Sequence, residues 1–149
     1  RLTGYISKNT VKKVPLLNMW MKRLHCLFID RENIKEGLKT ILTGIEKVKS
    51  CISICIFPEG TRNRNPEGVL PFKEGSFKIA EKSGCPIIPI AITNSSAIFE
   101  DHLPWLHSGK VTLQYGTPID PATFTKEEQK KIGAYCHDVI EQMLAEQHK

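Results

Sequence analysis

The sequence predicts a single α/β domain whose helices flank a mostly parallel central sheet. Short apolar segments rich in β-branched residues alternate with longer amphipathic segments, which is typical of strands that are connected by helices. The chain has 149 residues, of which 40% are hydrophobic and 25% are charged. This length suits one domain with a buried core, and this composition is that of an ordinary globular protein.

The first half of the chain contains three predicted strands and two predicted helices. We expect an amphipathic helix over 33–49, because apolar residues recur there at helical spacing and Asn33 is a suitable N-cap. We expect either a helix or an interfacial segment over 11–24. The strands lie before, between and after these two segments, at 2–7, 26–29 and 51–57.

The second half of the chain continues the alternation. A helix predicted over 73–82 is followed by Gly84 in the usual position of a C-terminal stop. Thr125 and Glu128 form a Thr-x-x-Glu capping box, which predicts the start of a last helical region. The apolar face behind it consists of Ile132, Cys136, Val139, Ile140, Met143 and Leu144. Two further strands are expected, at 86–92 and 110–115.

Positive charge is concentrated near the start of the chain. The net charge is +5, and no acidic residue precedes Asp30. This pattern, with apolar side chains that include Trp20, suits an anionic membrane surface, and it equally suits a core-packed helix with solvated lysines. No nucleic-acid reader motif accompanies the charge, so we expect no nucleic-acid partner. The basic residues are Arg1, Lys8, Lys12, Lys13, Lys22 and Arg23.

The sequence lacks the usual signals of a cofactor, a metal site or a spanning helix. No apolar run approaches 18 residues, and no Gly-x4-Gly-Lys-Ser/Thr loop or Gly-x-Ser-x-Gly elbow is present. Cys51 and Cys55 are expected to share a strand face, and the five cysteines are interpreted as reduced core thiols of a cytosolic environment. We therefore expect no cofactor and no metal. The histidines interpreted as surface or loop residues are His102, His107, His137 and His148.

The strongest functional signal is the run Ile-Phe-Pro-Glu-Gly-Thr-Arg-Asn-Arg over 56–64. Pro58 cannot donate to a sheet ladder and Gly60 permits a tight turn, so the preceding strand ends here. One carboxylate and two guanidiniums then lie at the carboxyl end of a strand, where α/β sheets bind ligands. The planar fork of arginine suits phosphate. An anion site and a surface turn with a Glu59–Arg62 ion pair fit these residues equally well.

Three ordered blocks make the chain similar to a known family. The hexapeptide at 57–62 resembles the phosphate-binding block of the glycerolipid acyltransferases, specifically the 1-acylglycerol-3-phosphate (lysophosphatidic acid) acyltransferases. Phe-Ile-Asp-Arg at 28–31 resembles a second block, and Gly-Cys-Pro-Ile-Ile-Pro-Ile at 84–90 resembles a third. Lys8, followed by Val-Pro at 14–15, is similar to the stretch that precedes the second block. The resemblance implies a glycerolipid acyltransferase-like fold.

The resemblance also implies an acceptor site. Arg31 and Arg62 would hold the substrate phosphate, with Lys8 as a third cation. Glu59 would shape the loop, either by orienting Arg62 or by accepting a hydrogen bond from the glycerol. The residues that the resemblance places around the phosphate are Lys8, Arg31, Glu59, Gly60, Thr61 and Arg62.

The catalytic His-x4-Asp block of the family is not found where the resemblance places it, upstream of the lysine stretch. We expect it before Arg1, so no catalytic residue is assigned within residues 1–149. His25 and Asp30 have the same spacing, but the segment reads as a strand, in which residues five apart point to opposite faces. We interpret this spacing as a coincidence, and residues 1–149 as an acyltransferase domain without its N-terminal catalytic segment.

The function that the resemblance implies is transfer of a fatty acyl group to 1-acylglycerol 3-phosphate, which gives phosphatidic acid in phospholipid biosynthesis. The partners would be a lysophospholipid acceptor, an acyl-CoA or acyl-carrier-protein donor and a membrane surface. The location would be the cytoplasmic face of the membrane. Two alternatives stay open: a different acceptor, such as another lysophospholipid or glycerol 3-phosphate, and a non-catalytic domain that binds anionic phospholipids.

Overall fold

A parallel sheet of three strands organises the first third of the molecule. The structure, a computed structural model, describes residues 2–30, 33–64 and 68–147. The strands are β1 (Thr3–Lys8), β2 (Leu27–Ile29) and β3 (Ser53–Cys55), in the order β2-β1-β3. Both pairings of β1 are parallel, with Ile6 opposite Leu27 and Tyr5 opposite Cys55. The carboxyl ends of all three strands therefore lie at one edge of the sheet.

Two helices make the crossovers that parallel strands require. Helix α1 (Pro15–Arg23) follows a 3₁₀ turn (Asn9–Lys13) and leads into β2, and helix α2 (Ile34–Lys49) leads into β3. The side chain of Asn33 caps α2, because its oxygen accepts hydrogen bonds from the amides of Lys35 and Glu36. The predicted α/β fold with a parallel sheet and flanking helices is confirmed.

Two glycines allow close packing around this sheet. Helix α3 (Lys78–Ser83) packs against α2, and a Cβ atom added to Gly44 would lie 2.5 Å from the Cδ1 atom of Ile79. A Cβ atom added to Gly4, in β1, would lie 2.5 Å from the carbonyl oxygen of His25. That neighbour is backbone, which cannot move aside as the end of a side chain can. Gly4 thus sets the distance between β1 and the turn that enters β2.

The remaining strands form a separate antiparallel pair, β4 (Ile90–Thr93) with β5 (Thr112–Tyr115). Strand β4 begins later than the predicted 86–92, because Pro86 and Pro89 have no amide hydrogen to donate to a ladder. Ile87 contributes only an isolated bridge, to Ile119. The second sheet accounts for the antiparallel part of the fold.

The carboxyl-terminal helices close the core. A short helix α4 (Lys126–Gln129) begins at the capping box of Thr125 and Glu128, as predicted, and α5 (Ile132–Gln147) follows. Gly84 ends α3 with a φ of 68°, which confirms the predicted stop. The buried cluster beside α5 consists of Phe77, Ile119, Ile132 and Cys136.

Two local expectations are wrong. Cys51 has a φ of 64° and lies in the turn before β3, so it does not share a strand face with Cys55. His25, with a φ of 59°, lies in the turn before β2, so it is a turn residue and not a strand residue. Both residues adopt the left-handed conformation, which is outside the range of a β-strand and occurs in turns.

The structure also bears on membrane insertion. Within residues 2–30, 33–64 and 68–147, no helix combines the length and the apolar character needed to cross a bilayer.

Candidate phosphate-binding site

Lys8 and residues of two of the three sequence blocks lie at, or follow, the carboxyl ends of the strands of the parallel sheet. Lys8 ends β1 and lies opposite Ile29, the last residue of β2. Strand β3 ends at Cys55, so the segment that follows, with Glu59 and Arg62, leaves the same edge. Arg31 lies outside the described residues. The parallel topology therefore places the ends of strands that are far apart in the sequence at one end of the sheet.

The segment after β3 returns to its starting point; we call residues 58–64 and 68–72 the edge loop. Gly60 is buried with a φ of 71°, and its amide donates a hydrogen bond to the carbonyl of Phe57 at 3.1 Å. The amide of Lys73 donates to the carbonyl of Pro58 at 2.9 Å, which closes the base of the loop. A side chain at position 60 would be strained in this left-handed conformation. Gly60 thus has the turn role that the sequence predicts for it.

Glu59 holds the returning limb of the edge loop. Its Oε2 atom accepts a hydrogen bond from the amide of Leu70 at 3.0 Å, and the side chain is half-buried. In the part of the chain that the structure describes, the carboxylate of Glu59 makes no ion pair with Arg62. Glu59 therefore shapes the loop through the backbone and not through the guanidinium.

His137 fastens the same limb to helix α5, a contact that sequence reasoning missed. Its Nε2 atom lies 3.2 Å from the carbonyl oxygen of Val69, and its ring makes an edge contact with Phe72 at 5.1 Å between centroids. The expectation that His137 is a surface or loop residue is wrong, because it lies within α5 and only 20% of its side chain is exposed. In the sequence, the one indication that His137 is partly buried is its position next to Cys136, which belongs to the apolar face of the predicted helix.

The surroundings of His137 favour its charged form. Burial by itself lowers the pKa of His137, but hydrogen bonds to the Val69 carbonyl and to Asp138, with the negative charges of Glu141 and Asp138, raise it above its ordinary value. Ligand atoms of His137, Asp138 and Glu141 lie within 4.8 Å of one another, but a histidine in its charged form has no lone pair to offer a metal ion. Because Nε2 faces the Val69 carbonyl, the adjacent His137–Asp138 contact is not arranged as a general base.

Arg62 has a partner from a distant part of the chain. Its Nε atom lies 3.0 Å from the Oε1 atom of Glu100, which begins a 3₁₀ turn (Glu100–His102) in the connection between β4 and β5. The side chains are 55% and 34% exposed, respectively. The guanidinium is thus accessible to a solute and is oriented by Glu100 instead of Glu59.

The other candidate residues differ in their contacts. Thr61 and Lys8 are exposed, and Lys8 forms no ion pair with any residue that the structure describes. Asp30, at the end of β2, accepts a hydrogen bond from the side-chain amide of Asn9 at 3.4 Å. The described part of the edge therefore presents Lys8, Thr61 and Arg62 to solvent, as a site for an anion requires.

A cavity of about 650 Å³ lies elsewhere, between β5 and α5. Its described lining includes Tyr115, Tyr135 and Met143, and no described residue of the edge loop. The described residues of the candidate phosphate site are therefore not part of this cavity.

Comparison with known proteins identifies similar chains. The model of the acyltransferase family matches residues 1–93. The 1-acyl-sn-glycerol-3-phosphate acyltransferase of Haemophilus influenzae is 40% identical over 145 residues, which is 97% of this chain. The enzyme of the same name from Escherichia coli K12 is 34% identical over 148 residues, which is 99% of this chain.

A solved structure has the same architecture. The crystal structure of the 1-acyl-sn-glycerophosphate (LPA) acyltransferase PlsC from Thermotoga maritima matches 99% of this chain with a TM-score of 0.77 and 28% identity. The chain spans 59% of the length of the two curated relatives and 57% of the crystallised chain.

Proposed function

The chain belongs to the acyltransferase family, and from this premise we propose that it takes part in the acylation of 1-acylglycerol 3-phosphate to phosphatidic acid. The proposal is supported by the position of Lys8, Thr61 and Arg62, which are exposed and lie at or follow the carboxyl ends of two adjacent strands of the parallel sheet. The names of the Haemophilus influenzae and Escherichia coli relatives support this acceptor. The acyl donor is a thioester of coenzyme A or of acyl-carrier protein.

In the proposed reaction the free hydroxyl of the acceptor attacks the acyl carbon of the thioester. A carbon–oxygen bond forms, the carbon–sulfur bond breaks, and the thiol leaves as the hydroxyl proton passes to a general base. We propose that this base is the histidine of a His-x4-Asp pair outside residues 1–149, which form the acceptor-binding part of the acyltransferase domain. His25 and Asp30 have the motif spacing, but His25 lies in the turn before β2 and Asp30 follows the end of β2.

Arg62 is the principal phosphate ligand in this proposal, together with Arg31. Both are always charged and can bind phosphate oxygens through two parallel hydrogen bonds. Lys8 adds a point charge, and Thr61 donates its hydroxyl. Glu59 and Gly60 act through the backbone, because they set the shape of the loop that presents Arg62.

Fixing the phosphate also fixes the hydroxyl. When the phosphate of the acceptor is bound, the free hydroxyl keeps a fixed position relative to the base and the thioester. Such positioning accounts for a large part of the rate enhancement of many enzymes. A phosphate site on an open edge suits an acceptor whose acyl chain remains in a lipid phase.

We further propose that the segment containing α1 rests on an anionic membrane surface, at the cytoplasmic face. The large side chains of α1 are exposed, Leu16 by 77% and Trp20 by 67%. Lys12, Lys22 and Arg23 lie among them, and no acidic residue occurs before Asp30. Apolar side chains with interspersed positive charges are complementary to a bilayer that contains anionic lipid.

The test is release of free thiol from acyl-CoA, measured with and without 1-acylglycerol 3-phosphate, using the full reading frame that encodes this chain. We expect thiol release that depends on this acceptor, with phosphatidic acid as the product. If thiol is released only with a different lysophospholipid, that lysophospholipid is the acceptor and not 1-acylglycerol 3-phosphate. Binding of 1-acylglycerol 3-phosphate without any thiol release would instead favour a non-catalytic phospholipid-binding domain.

A further inference from the structure

We propose that the carboxylate of Glu100 occupies the Nε side of the Arg62 guanidinium when no acceptor is bound. The acceptor phosphate must then displace this carboxylate in order to bind Arg62. The inference rests on the proposed function, since it assigns a competitor to the arginine that binds the phosphate. It makes Glu100 a determinant of acceptor affinity, although Glu100 lies outside the three sequence blocks.

The geometry of the ion pair places Glu100 where a phosphate would bind. The Oε1 atom of Glu100 lies 3.0 Å from Nε of Arg62. Nε is one of the donors that arginine uses for two parallel hydrogen bonds to an oxyanion. A carboxylate oxygen at this distance therefore takes the position of a phosphate oxygen. Two anions at one Nε–H would repel each other, so phosphate and carboxylate cannot both hold this donor.

The exposure of the pair makes the exchange possible. Arg62 is 55% exposed and Glu100 is 34% exposed, so water and solutes reach both groups. Exposed ion pairs are weak, corresponding to at most about a fivefold effect on an equilibrium constant. A phosphate dianion carries twice the charge of the carboxylate and can displace it. Glu100 then lowers the affinity for the acceptor by the same small factor.

Glu100 lies within the segment 98–107, whose two ends are joined by a backbone hydrogen bond. The amide of His107 donates to the carbonyl of Ile98 at 2.9 Å, and the rings of His102 and His107 lie 4.1 Å apart. Glu100 lies inside this closed turn, so its position is set by the turn and not by a free side chain alone. Arg62 thus meets a carboxylate that is presented to it by the fold.

The experiment compares the KM for 1-acylglycerol 3-phosphate of the full-length protein with that of Glu100→Gln. We expect the variant to have a KM about twofold to fivefold lower at low salt, with a smaller difference at high salt because exposed charges are screened. Asp101→Asn removes the same charge one residue later, and Asp101 forms no ion pair within the described chain. This control should leave the KM unchanged.

The Arg62→Ala background separates this inference from the proposed function. If Glu100 acts through Arg62, Glu100→Gln should have no effect on the KM once Arg62 is alanine. An unchanged or raised KM in Glu100→Gln, or an equal decrease in Asp101→Asn, would overturn the competition while leaving the phosphate role of Arg62 intact. An Arg62→Ala variant with an unchanged KM would refute the proposed phosphate site itself. Titration of the unchanged protein and of Glu100→Gln with glycerol 3-phosphate should show a Kd that is lower in the variant by the same factor as the KM.

Discussion

His137 shows how a single residue of α5 controls the shape of the edge loop. It contacts the Val69 carbonyl and the Phe72 ring, while Glu59 holds the amide of Leu70. The returning limb is thus fixed at two adjacent backbone groups by two side chains from different parts of the chain. In the described part of the chain neither anchor forms an ion pair with Arg62, whose partner is Glu100.

The anchor at His137 predicts a pH-dependent stability. Since its pKa is raised in the folded protein, the protonated form contributes stability that is complete below the unfolded pKa of about 6.5 and is lost as pH rises through the folded pKa. His137→Gln should therefore lower the free energy of unfolding more below about pH 6 than above about pH 8. Urea unfolding of both proteins across this range is the measurement.

Asp138→Asn provides the second arm of this experiment. It removes one of the two negative charges that raise the pKa of His137, so the pH dependence should weaken without disappearing. The interpretation would be refuted if His137→Gln lowered stability equally at both ends of the pH range.

At the scale of elements, β1 and the turn into β2 approach each other closely at Gly4. A Cβ atom at Gly4 would lie 2.5 Å from the His25 carbonyl oxygen and 2.8 Å from its carbonyl carbon. His25 is itself in a left-handed conformation, so this turn has little freedom to move away.

Gly4→Ala should consequently destabilise the protein by about 1–3 kcal/mol or more, the range for overpacking a well-packed site. Gly75→Ala is the matched control, because a Cβ atom there meets nothing within 4 Å. Denaturant unfolding of both variants is the measurement. Equal losses of stability in the two variants would mean that the close approach at Gly4 does not limit the packing.

Helix α1 is the element that we expect to bind membranes. Trp20→Ala should reduce binding of the 149-residue chain to vesicles containing phosphatidylglycerol by about tenfold, because a large apolar side chain is no longer buried in the interface. Trp105→Ala is the control, since Trp105 is similarly exposed, by 73%, but lies in the connection between β4 and β5. Vesicle sedimentation measures both. Equal losses for the two variants, or equal binding to neutral phosphatidylcholine vesicles, would contradict the role of α1.

For the whole molecule, the sequence predicts those features of secondary structure that depend on neighbouring residues. Asn33, Gly84 and the Thr125 capping box were correctly predicted, because capping depends on residues within one turn. The parallel sheet followed from the alternation of strands and helices. The limits of β4 were wrong because isolated prolines within an apolar run were counted as strand.

Contacts between side chains that are distant in the sequence could not be predicted from the sequence. Nothing near Glu100 or His137 in the sequence indicates that one meets Arg62 and the other meets Val69, because these contacts depend on how the sheet edge and α5 are placed in space. Lys8 and the edge loop are assigned to one site through the resemblance, and the parallel pairing of β1 with β2 and β3 places the carboxyl ends of these strands at one end of the sheet. The sequence thus indicates which residue types a phosphate site would use, and it does not indicate the contacts of Arg62 and His137.

The central claim is that Arg62 binds the phosphate of the acceptor. Its most direct test is the steady-state kinetics of Arg62→Ala beside Arg64→Ala, a neighbouring exposed arginine. Loss of a charged hydrogen-bond partner should raise the KM for 1-acylglycerol 3-phosphate by roughly 10–100-fold in Arg62→Ala, while the KM for the acyl donor stays unchanged. Arg64→Ala should change the acceptor KM little. An unchanged acceptor KM in Arg62→Ala, or equal increases in both variants, would contradict the claim.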